Sequence, residues 1–402
     1  MTKNFLIFIT LGMCAANSYA DLTANGYYRA QNYGSERWAN LIDNYGSVDM
    51  IAASADLHAL QLTNNYSKIL SDPGSIVYIS NAGGSQYNVA GQGTSLNSVM
   101  GQSVYIGADG SANGNTLYRI WGTSRDVTRY IMDVNPDTDE EIGQASINEI
   151  KGFTSFKQWL FYPVDVNSDI YFGVTPNVSA KGTQYATMYA AFPYKPVSSE
   201  VKAYKIGRVG YGMAEIIEIS GTVPGGTPVL IKCAGEKASD NKLDIQATDN
   251  TVTENALKGV YFDYQSSTRN NYLAYNPANM RVLGNCSDGS LGFVTADIKC
   301  IPSNTAYLMV PEGSPAELTC VTTAEYDANM SQAGIGDLAT DKDGGLKYLG
   351  HVVFNNTGYE LNIVNMAGQT VVRTAEESVE ISHLPKGIYM AVAGNKSLKI
   401  VR

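Results

Sequence analysis

Charged residues are scarce in this sequence of 402 amino acids, where they make up 16% of the chain. Soluble proteins ordinarily carry about 25%. Acidic residues outnumber basic ones by 38 to 28, which gives a formal net charge of −10. A chain of this sign repels nucleic acid and anionic membrane, so we expect no nucleic-acid partner. The polarity comes instead from Asn, Ser, Thr, Gly and 27 Tyr, a composition typical of extracellular all-β proteins.

Histidine is also scarce, and two common catalytic motifs are absent. The chain has three histidines, and neither a His-Glu-x-x-His nor a Gly-x-Ser-x-Gly segment occurs in it. Zinc-hydrolase and serine-hydrolase motifs are therefore missing. Glycoside hydrolysis needs two carboxylates that can be far apart in sequence, so the sequence leaves that alternative open.

Long apolar runs are absent after the first twenty residues. Lys3 precedes an uncharged, mostly apolar stretch over residues 5–16, and Ser18 and Ala20 supply small residues before a cleavage point. This pattern predicts a signal peptide over residues 1–20. The stretch is shorter than the roughly 18–20 residues of a membrane helix, so we expect an exported chain without a transmembrane segment.

Cysteine is sparse and clustered. Outside the predicted signal peptide four remain, all within residues 233–320. An even number in an oxidising compartment permits two disulfides in three possible pairings. Four free thiols are the alternative, because a chain of this length needs no disulfides to form a core. The four are Cys233, Cys286, Cys300 and Cys320.

The rest of the chain predicts a mainly β, multidomain protein. Short runs rich in aromatic and β-branched residues, separated by Gly and Asn turns, indicate strands joined by hairpins. An N-terminal β-rich domain over 21–194 is expected to be a barrel, trefoil or sandwich. A second β domain over 195–326, a linker over 327–345 and a small β-sandwich over 346–402 complete the prediction.

One or two helices are expected to interrupt the N-terminal domain. The spacing of Leu57, Leu60 and Ile69 predicts a helix over residues 56–70. A Thr-x-x-Glu capping box, from Thr138 to Glu141, predicts another over residues 138–150.

The second β domain has an internal repeat. Residues 223–231 (VPGGTPVLI) match residues 301–309 (IPSNTAYLM), and a short predicted strand precedes each copy. In both copies a proline ends a strand, a polar pair turns the chain, and an apolar run re-enters the sheet. The pattern predicts two related half-sheets packed together, with a chance likeness of two β-turn-β units as the alternative.

Acidic and amide side chains occupy alternate positions in one segment of the N-terminal domain. Alternating oxygen ligands are typical of a calcium loop. An acidic turn in front of a helix N-terminus is the alternative. The residues of this possible calcium loop are Asp133, Asn135, Asp137, Asp139 and Glu141. Apart from calcium, we expect no cofactor.

All three tryptophans lie in the N-terminal domain. Exposed aromatic faces on extracellular β domains bind sugars by stacking, whereas a tryptophan in a strand can equally belong to the core. Trp38, Trp121 and Trp159 are therefore candidate ligand-binding residues.

The C-terminal segment resembles a known secretion module. The segments 361–369 (LNIVNMAGQ), 384–389 (LPKGIY) and 395–402 (NKSLKIVR) look like the C-terminal sorting domain of type IX secretion cargo in Bacteroidetes-type bacteria. The Gly-Tyr-Tyr-Arg segment at residues 26–29 and the Ile-Pro-x-x-Thr strand also resemble secreted proteins of those bacteria, a likeness that implies no particular activity. The resemblance implies export to the surface or medium of a Gram-negative cell, with the secretion machinery as a partner of residues 346–402.

Two functional hypotheses follow. The first is a binding or adhesion protein for glycans or for host and microbial surface proteins, and the absence of catalytic motifs favours it. The alternative is a secreted hydrolase such as a glycosidase. Two carboxylates converging in a concave pocket would favour the enzyme, and an aromatic patch without them would favour binding.

Overall fold

The structure of this protein is a computed structural model, and it confirms that the chain is mainly β. It has two compact units, Met1–Thr319 and Cys320–Arg402. Its described helices are α1 (Tyr66–Ser71), α2 (Leu96–Met100) and α3 (Thr323–Gln332); none of them is long and apolar enough to cross a membrane. The described residues are 22, 24–45, 54–133, 142–148, 155–267, 269–332, 345–349, 351–385 and 387–402.

The first sheet of the larger unit closes into a barrel, one of the three architectures predicted for this region. Strands β1, β11, β8, β7, β5 and β4 form a ring, because β4 pairs back onto β1. Strands β2, β3, β10 and β9 form a second path from β1 to β8. The strands are β1 (Gly26–Asn32), β2 (Trp38–Leu41), β3 (Ser54–Thr63), β4 (Val77–Gly83), β5 (Gln86–Gly91), β6 (Thr94–Ser95), β7 (Val104–Ala112), β8 (Asn115–Ser124), β9 (Val127–Asp133), β10 (Ile142–Asn148) and β11 (Gln158–Pro163).

Every second side chain along these strands points inward and contributes to the barrel core. In β7 the side chains of Val104 and Ile106 are buried, while the residues between and after them face outward. Trp159 and Phe161 contribute the same period of two from β11. Successive side chains of a strand point to opposite faces, so one face fills the barrel and the other lies outside it.

The helix predicted over residues 56–70 is confirmed only from Tyr66 onward, and the one predicted over residues 138–150 is wrong in its described part. Residues 54–63 form β3, in which Leu57, Ala59 and Leu62 are buried and the backbone pairs with β2 and β10. The helix begins later, at Tyr66. Residues 142–148 form β10, paired on both sides with β3 and β9, while residues 134–141 lie outside the described part. Hydrogen bonds from two neighbouring strands outweigh a weak helical spacing.

A ten-stranded sheet follows the barrel, and it shows the predicted repeat. The order β18-β16-β17 in its first half is matched by β25-β23-β24 in its second. Two smaller sheets, β12-β19-β15 and β21-β22, accompany it. The strands are β12 (Phe172–Gly173), β13 (Val178–Ala180), β14 (Thr183–Met188), β15 (Tyr194–Pro196), β16 (Lys202–Gly210), β17 (Met213–Glu218), β18 (Val229–Cys233), β19 (Lys242–Ile245), β20 (Leu257–Val260), β21 (Asp263–Gln265), β22 (Asn270–Tyr272), β23 (Met280–Asn285), β24 (Leu291–Val294), β25 (Thr305–Met309) and β26 (Glu317–Thr322).

The smaller unit has two sheets around one core, as expected for a small β-sandwich. Their orders are β27-β28-β31 and β30-β29-β32-β33. Leu346 and Val353 from the first sheet and Leu361, Ala391 and Ile400 from the second belong to one buried cluster. The strands are β27 (Leu346–Leu349), β28 (Val352–Asn355), β29 (Leu361–Asn365), β30 (Thr370–Thr374), β31 (Ser378–Glu380), β32 (Ile388–Ala393) and β33 (Lys396–Val401).

A buried arginine joins the barrel to the segment that follows it. Arg29, on β1, has no exposed surface. Its Nε donates to Ser75 Oγ at 2.9 Å, and its two terminal nitrogens donate to the carbonyl oxygens of Tyr171 at 2.7 Å and Leu70 at 3.3 Å. Burial lowers the pKa of Arg29 to about 10. A guanidinium removed from water is tolerated only where such acceptors replace the water, so this contact fixes three chain segments around one point.

The repeated turn makes a second connection to the barrel. Gly226 and Asn304 occupy equivalent positions in the two copies, and both have positive φ, of 73° and 59°. Asn304 adds a side chain that its counterpart lacks: its Nδ2 donates to Asp72 Oδ1 at 3.0 Å, and Gln92 donates to its Oδ1. Burial raises the pKa of Asp72, so this carboxylate depends on its donors.

Replacing Asn304 with glycine tests this connection. The variant keeps the left-handed turn, which glycine adopts freely, and loses the side-chain hydrogen bonds. We expect the free energy of unfolding to fall by about 1–3 kcal/mol, measured by urea denaturation. Asn113→Gly is the matched control, since Asn113 also has positive φ and is exposed. Equal losses in the two variants would contradict the role assigned to Asn304.

Candidate functional site

The three tryptophans, all of them described, have different surroundings. Trp159 lies in the barrel core without exposed surface, and its Nε1 donates to the carbonyl oxygen of Ile131 at 3.0 Å. Trp38 is 6% exposed and packs against two tyrosines. Trp121 is half-buried on the outer face of β8. The structure therefore places Trp159 in the core and leaves Trp121 as the most accessible of the three candidate residues.

Trp121 is the centre of a row of aromatic side chains that crosses three strands. Its register partner on β7 is Tyr105 and its partner on β9 is Tyr130. The rings of Tyr105 and Trp121 are nearly parallel, with centroids 5.7 Å apart and an interplanar angle of 16°. All three side chains are half-buried. We call Tyr105, Trp121 and Tyr130 the aromatic strip.

A glycine gives the indole its place on the sheet. A Cβ atom at Gly107 would lie 2.9 Å from Cη2 of Trp121, closer than van der Waals contact allows. Because Gly107 has no side chain, the indole can extend over β7 beside the ring of Tyr105. The ring is thus supported from the protein side and remains partly open to solvent.

Polar groups border the aromatic strip. Arg119 lies with its guanidinium carbon 5.6 Å from the ring centre of Tyr130, and the Lys157 ammonium is 5.0 Å from the same ring. Arg119 also forms an ion pair with Asp109. The amide of Gln158 donates to Asp109, at 3.0 Å to its carbonyl oxygen and 3.2 Å to its carboxylate. Charged donors and acceptors therefore lie next to the aromatic strip.

Sequence reasoning identified Trp121 but missed its neighbours. Tyr105 and Gly107 alternate with buried Val104 and Ile106, which is a readable signal that they face outward. The pairing of Tyr105 and Tyr130 with Trp121 depends on strand register, and no residue type in the sequence records that register.

Among the calcium candidates, Asp133 is the one that lies in the described part of the chain. It is fully buried, and its Oδ2 lies 3.3 Å from a terminal nitrogen of buried Arg37. Within the described residues no cluster of three or more His, Cys, Asp or Glu side chains is suited to a metal ion. Asn135, Asp137, Asp139 and Glu141 lie outside those residues, so the calcium site stays a prediction.

Cys233, Cys286 and Cys300 are free thiols in the structure. Cys233 and Cys286 are buried, and Cys300 and Cys320 are half-buried. Burial raises the pKa of Cys233 to about 12, so its thiol stays protonated and unreactive at neutral pH. Disulfide formation during export remains a prediction.

Two cavities of the larger unit bear on the hydrolase hypothesis. One, of about 260 Å³, has Asp72 as the acidic residue among its described lining, and another, of about 430 Å³, has Asp169. Glycoside hydrolysis requires two carboxylates on either side of the scissile bond. Neither described lining supplies such a pair.

Comparison with known proteins identifies the smaller unit. Residues 349–402 match the family model of the secretion system C-terminal sorting domain. No curated protein and no solved structure matches the chain. The predicted sorting domain is confirmed, although Lys386 of the quoted segment lies outside the described residues. The chain is therefore a secreted or cell-surface protein that carries the C-terminal sorting domain of type IX secretion.

Proposed function

We propose that the protein binds glycans at the cell surface through the aromatic strip. The observation that carries the proposal is the pairing of Tyr105, Trp121 and Tyr130 across three adjacent strands on the outer face of the barrel. Aromatic side chains of the core would point into the barrel, whereas these three are half-buried and lie side by side on its outer face. An apolar patch kept at the surface commonly marks a binding site.

The chemistry of the strip suits a sugar chain. The C–H faces of pyranose rings are apolar and pack on aromatic faces, while their hydroxyl groups need hydrogen-bonding partners at the ring edge. Asp109 supplies acceptors, and Arg119 and Lys157, which lie over the ring of Tyr130, supply donors. The strip crosses neighbouring strands, which are about 4.8 Å apart, so it supports contact with successive sugar units of an extended glycan.

The terminal unit gives this binding site its location. In the proposed sequence of events, the signal peptide directs the chain across the inner membrane and residues 346–402 engage the secretion machinery. The barrel then reaches the outside of the cell with its aromatic strip exposed. A binding protein at that location would hold glycans of host or microbial surfaces.

Replacing Trp121 with alanine tests the strip. We expect glycan affinity to fall by about 1–3 kcal/mol, because the central stacking surface is lost while the core is untouched. Isothermal titration with the strongest ligand from a glycan array gives the affinity, and thermal unfolding checks the fold. Trp159→Ala should instead lower the free energy of unfolding by about 3–5 kcal/mol, since it opens a cavity in the core.

Tyr33→Ala serves as the control for the Trp121 variant. Tyr33 is 37% exposed, lies outside the aromatic strip and should not affect affinity. Unchanged affinity in Trp121→Ala, or an array that shows no glycan bound by the full chain, would contradict the proposal.

Deleting residues 346–402 tests export. These residues contain their own buried core, so we expect the rest of the chain to fold without them. The truncated protein should accumulate in the periplasm of the native host, while the full chain with the same epitope tag reaches the surface or medium. Immunoblots of cell fractions measure the distribution. Normal amounts of truncated protein outside the cell would rule out the sorting role.

A further inference from the structure

The cavity of about 430 Å³ is a groove with mostly aromatic walls, separate from the aromatic strip. It lies where α1, strand β11 and the segment before β12 meet. Its volume is within the range of small-molecule sites, which are usually lined by apolar and aromatic side chains with a few polar groups. We call it the aromatic groove; it is lined by Trp38, Tyr66, Tyr162, Tyr171, Ile170 and Asp169, with Leu70 beside them.

The rings of the groove are arranged around Trp38. Tyr66 and Tyr162 have their ring centres 5.5 Å and 5.1 Å from that of Trp38, tilted by 41° and 46°. Trp38 is the most buried of the four rings, and the three tyrosines are half-buried. A hydrophobic base with tyrosine side walls therefore faces the opening.

Hydrogen bonds, in addition to packing, hold the walls of the groove in place. The hydroxyl of Tyr66 donates to the carbonyl oxygen of Asp169 at 2.6 Å, and the hydroxyl of Tyr162 donates to Gln31 Oε1 at 3.1 Å. Arg29 binds the carbonyl oxygens of Leu70 and Tyr171 from beneath. A site whose walls are fixed before binding loses less conformational entropy when a ligand arrives.

The charges around the groove distinguish between two kinds of ligand. An aromatic cage with a carboxylate is a common site for an organic cation. Here, however, the buried guanidinium of Arg29 lies behind the walls, and the Lys242 ammonium already lies 4.4 Å from the ring centre of Tyr171. Both positive charges would repel a cationic ligand. A neutral ligand with an apolar face and hydroxyl groups avoids this repulsion and uses the exposed carboxylate of Asp169 as an acceptor.

We propose that the aromatic groove is a second carbohydrate site, which binds a single neutral pyranose ring. The ring's C–H face would contact the tyrosine walls, and its hydroxyl groups would donate to Asp169. This site differs from the aromatic strip in both location and shape. The strip is an open row across three strands, whereas the groove is concave and has room for one sugar ring. The inference does not depend on binding at the strip.

Saturation-transfer NMR on the full chain tests the groove, with methyl glycosides of glucose, galactose, mannose and N-acetylglucosamine as probes. At least one glycoside should receive saturation at the protons of its C–H face. Tyr171→Ala should weaken its binding by about tenfold, and Asp169→Asn should weaken it by several-fold. Asp169 is exposed, so its substitution should leave the fold intact.

Two controls separate this site from the strip and from unspecific contact. Tyr33→Ala should bind the glycoside as the unchanged protein does, and Tyr171→Ala should lose more of the signal than Trp121→Ala, which removes only the contribution of the strip. The proposal is overturned if no glycoside receives saturation, or if its signal is lost in Trp121→Ala but kept in Tyr171→Ala. Saturation transfer to choline, with none to any glycoside, would also overturn it, because a cation would then be the ligand.

Discussion

Three segments of the larger unit meet at the buried guanidinium of Arg29. Arg29 has no exposed surface, yet its guanidinium binds oxygen atoms from Ser75, Leu70 and Tyr171. Leaving a guanidinium unpaired inside a protein costs several kcal/mol, so the segments that carry these oxygens are held where they are. The end of α1, the turn after it and the chain leaving the barrel consequently meet at one point. The aromatic groove lies above that point.

The aromatic strip depends on a different constraint, the regularity of the sheet. Strands in register place side chains from neighbouring strands side by side, so three aromatic residues far apart in sequence form one surface. Gly107 gives the central indole room, and Asp109 and Arg119 border it. The barrel thus has an apolar interior and an aromatic row on its outer face.

The role of the smaller unit is separate from that of the larger one. The smaller unit has its own core and matches the sorting-domain family, so it specifies the destination of the chain. It carries no information about the activity of the barrel, because sorting domains accompany proteins of many activities. Both proposed ligand sites lie in the larger unit, within the barrel and the segments packed against it.

The sequence by itself determined the β-rich class, the terminal sorting domain and the internal repeat, because each depends on local composition, turn residues or a contiguous motif. It also singled out all three tryptophans, Trp38, Trp121 and Trp159, without separating core from surface. The helix predicted over residues 56–70 forms only from Tyr66 onward, because Leu57 and Ala59 fit the period of two of a strand and residues 54–63 pair with neighbouring strands on both sides. Only the tertiary structure showed that Trp159 is core, that Tyr105 and Tyr130 join Trp121, and that Arg29 supports the groove. These facts depend on strand register and on contacts between distant segments, such as Arg29 and Tyr171, which no local pattern encodes.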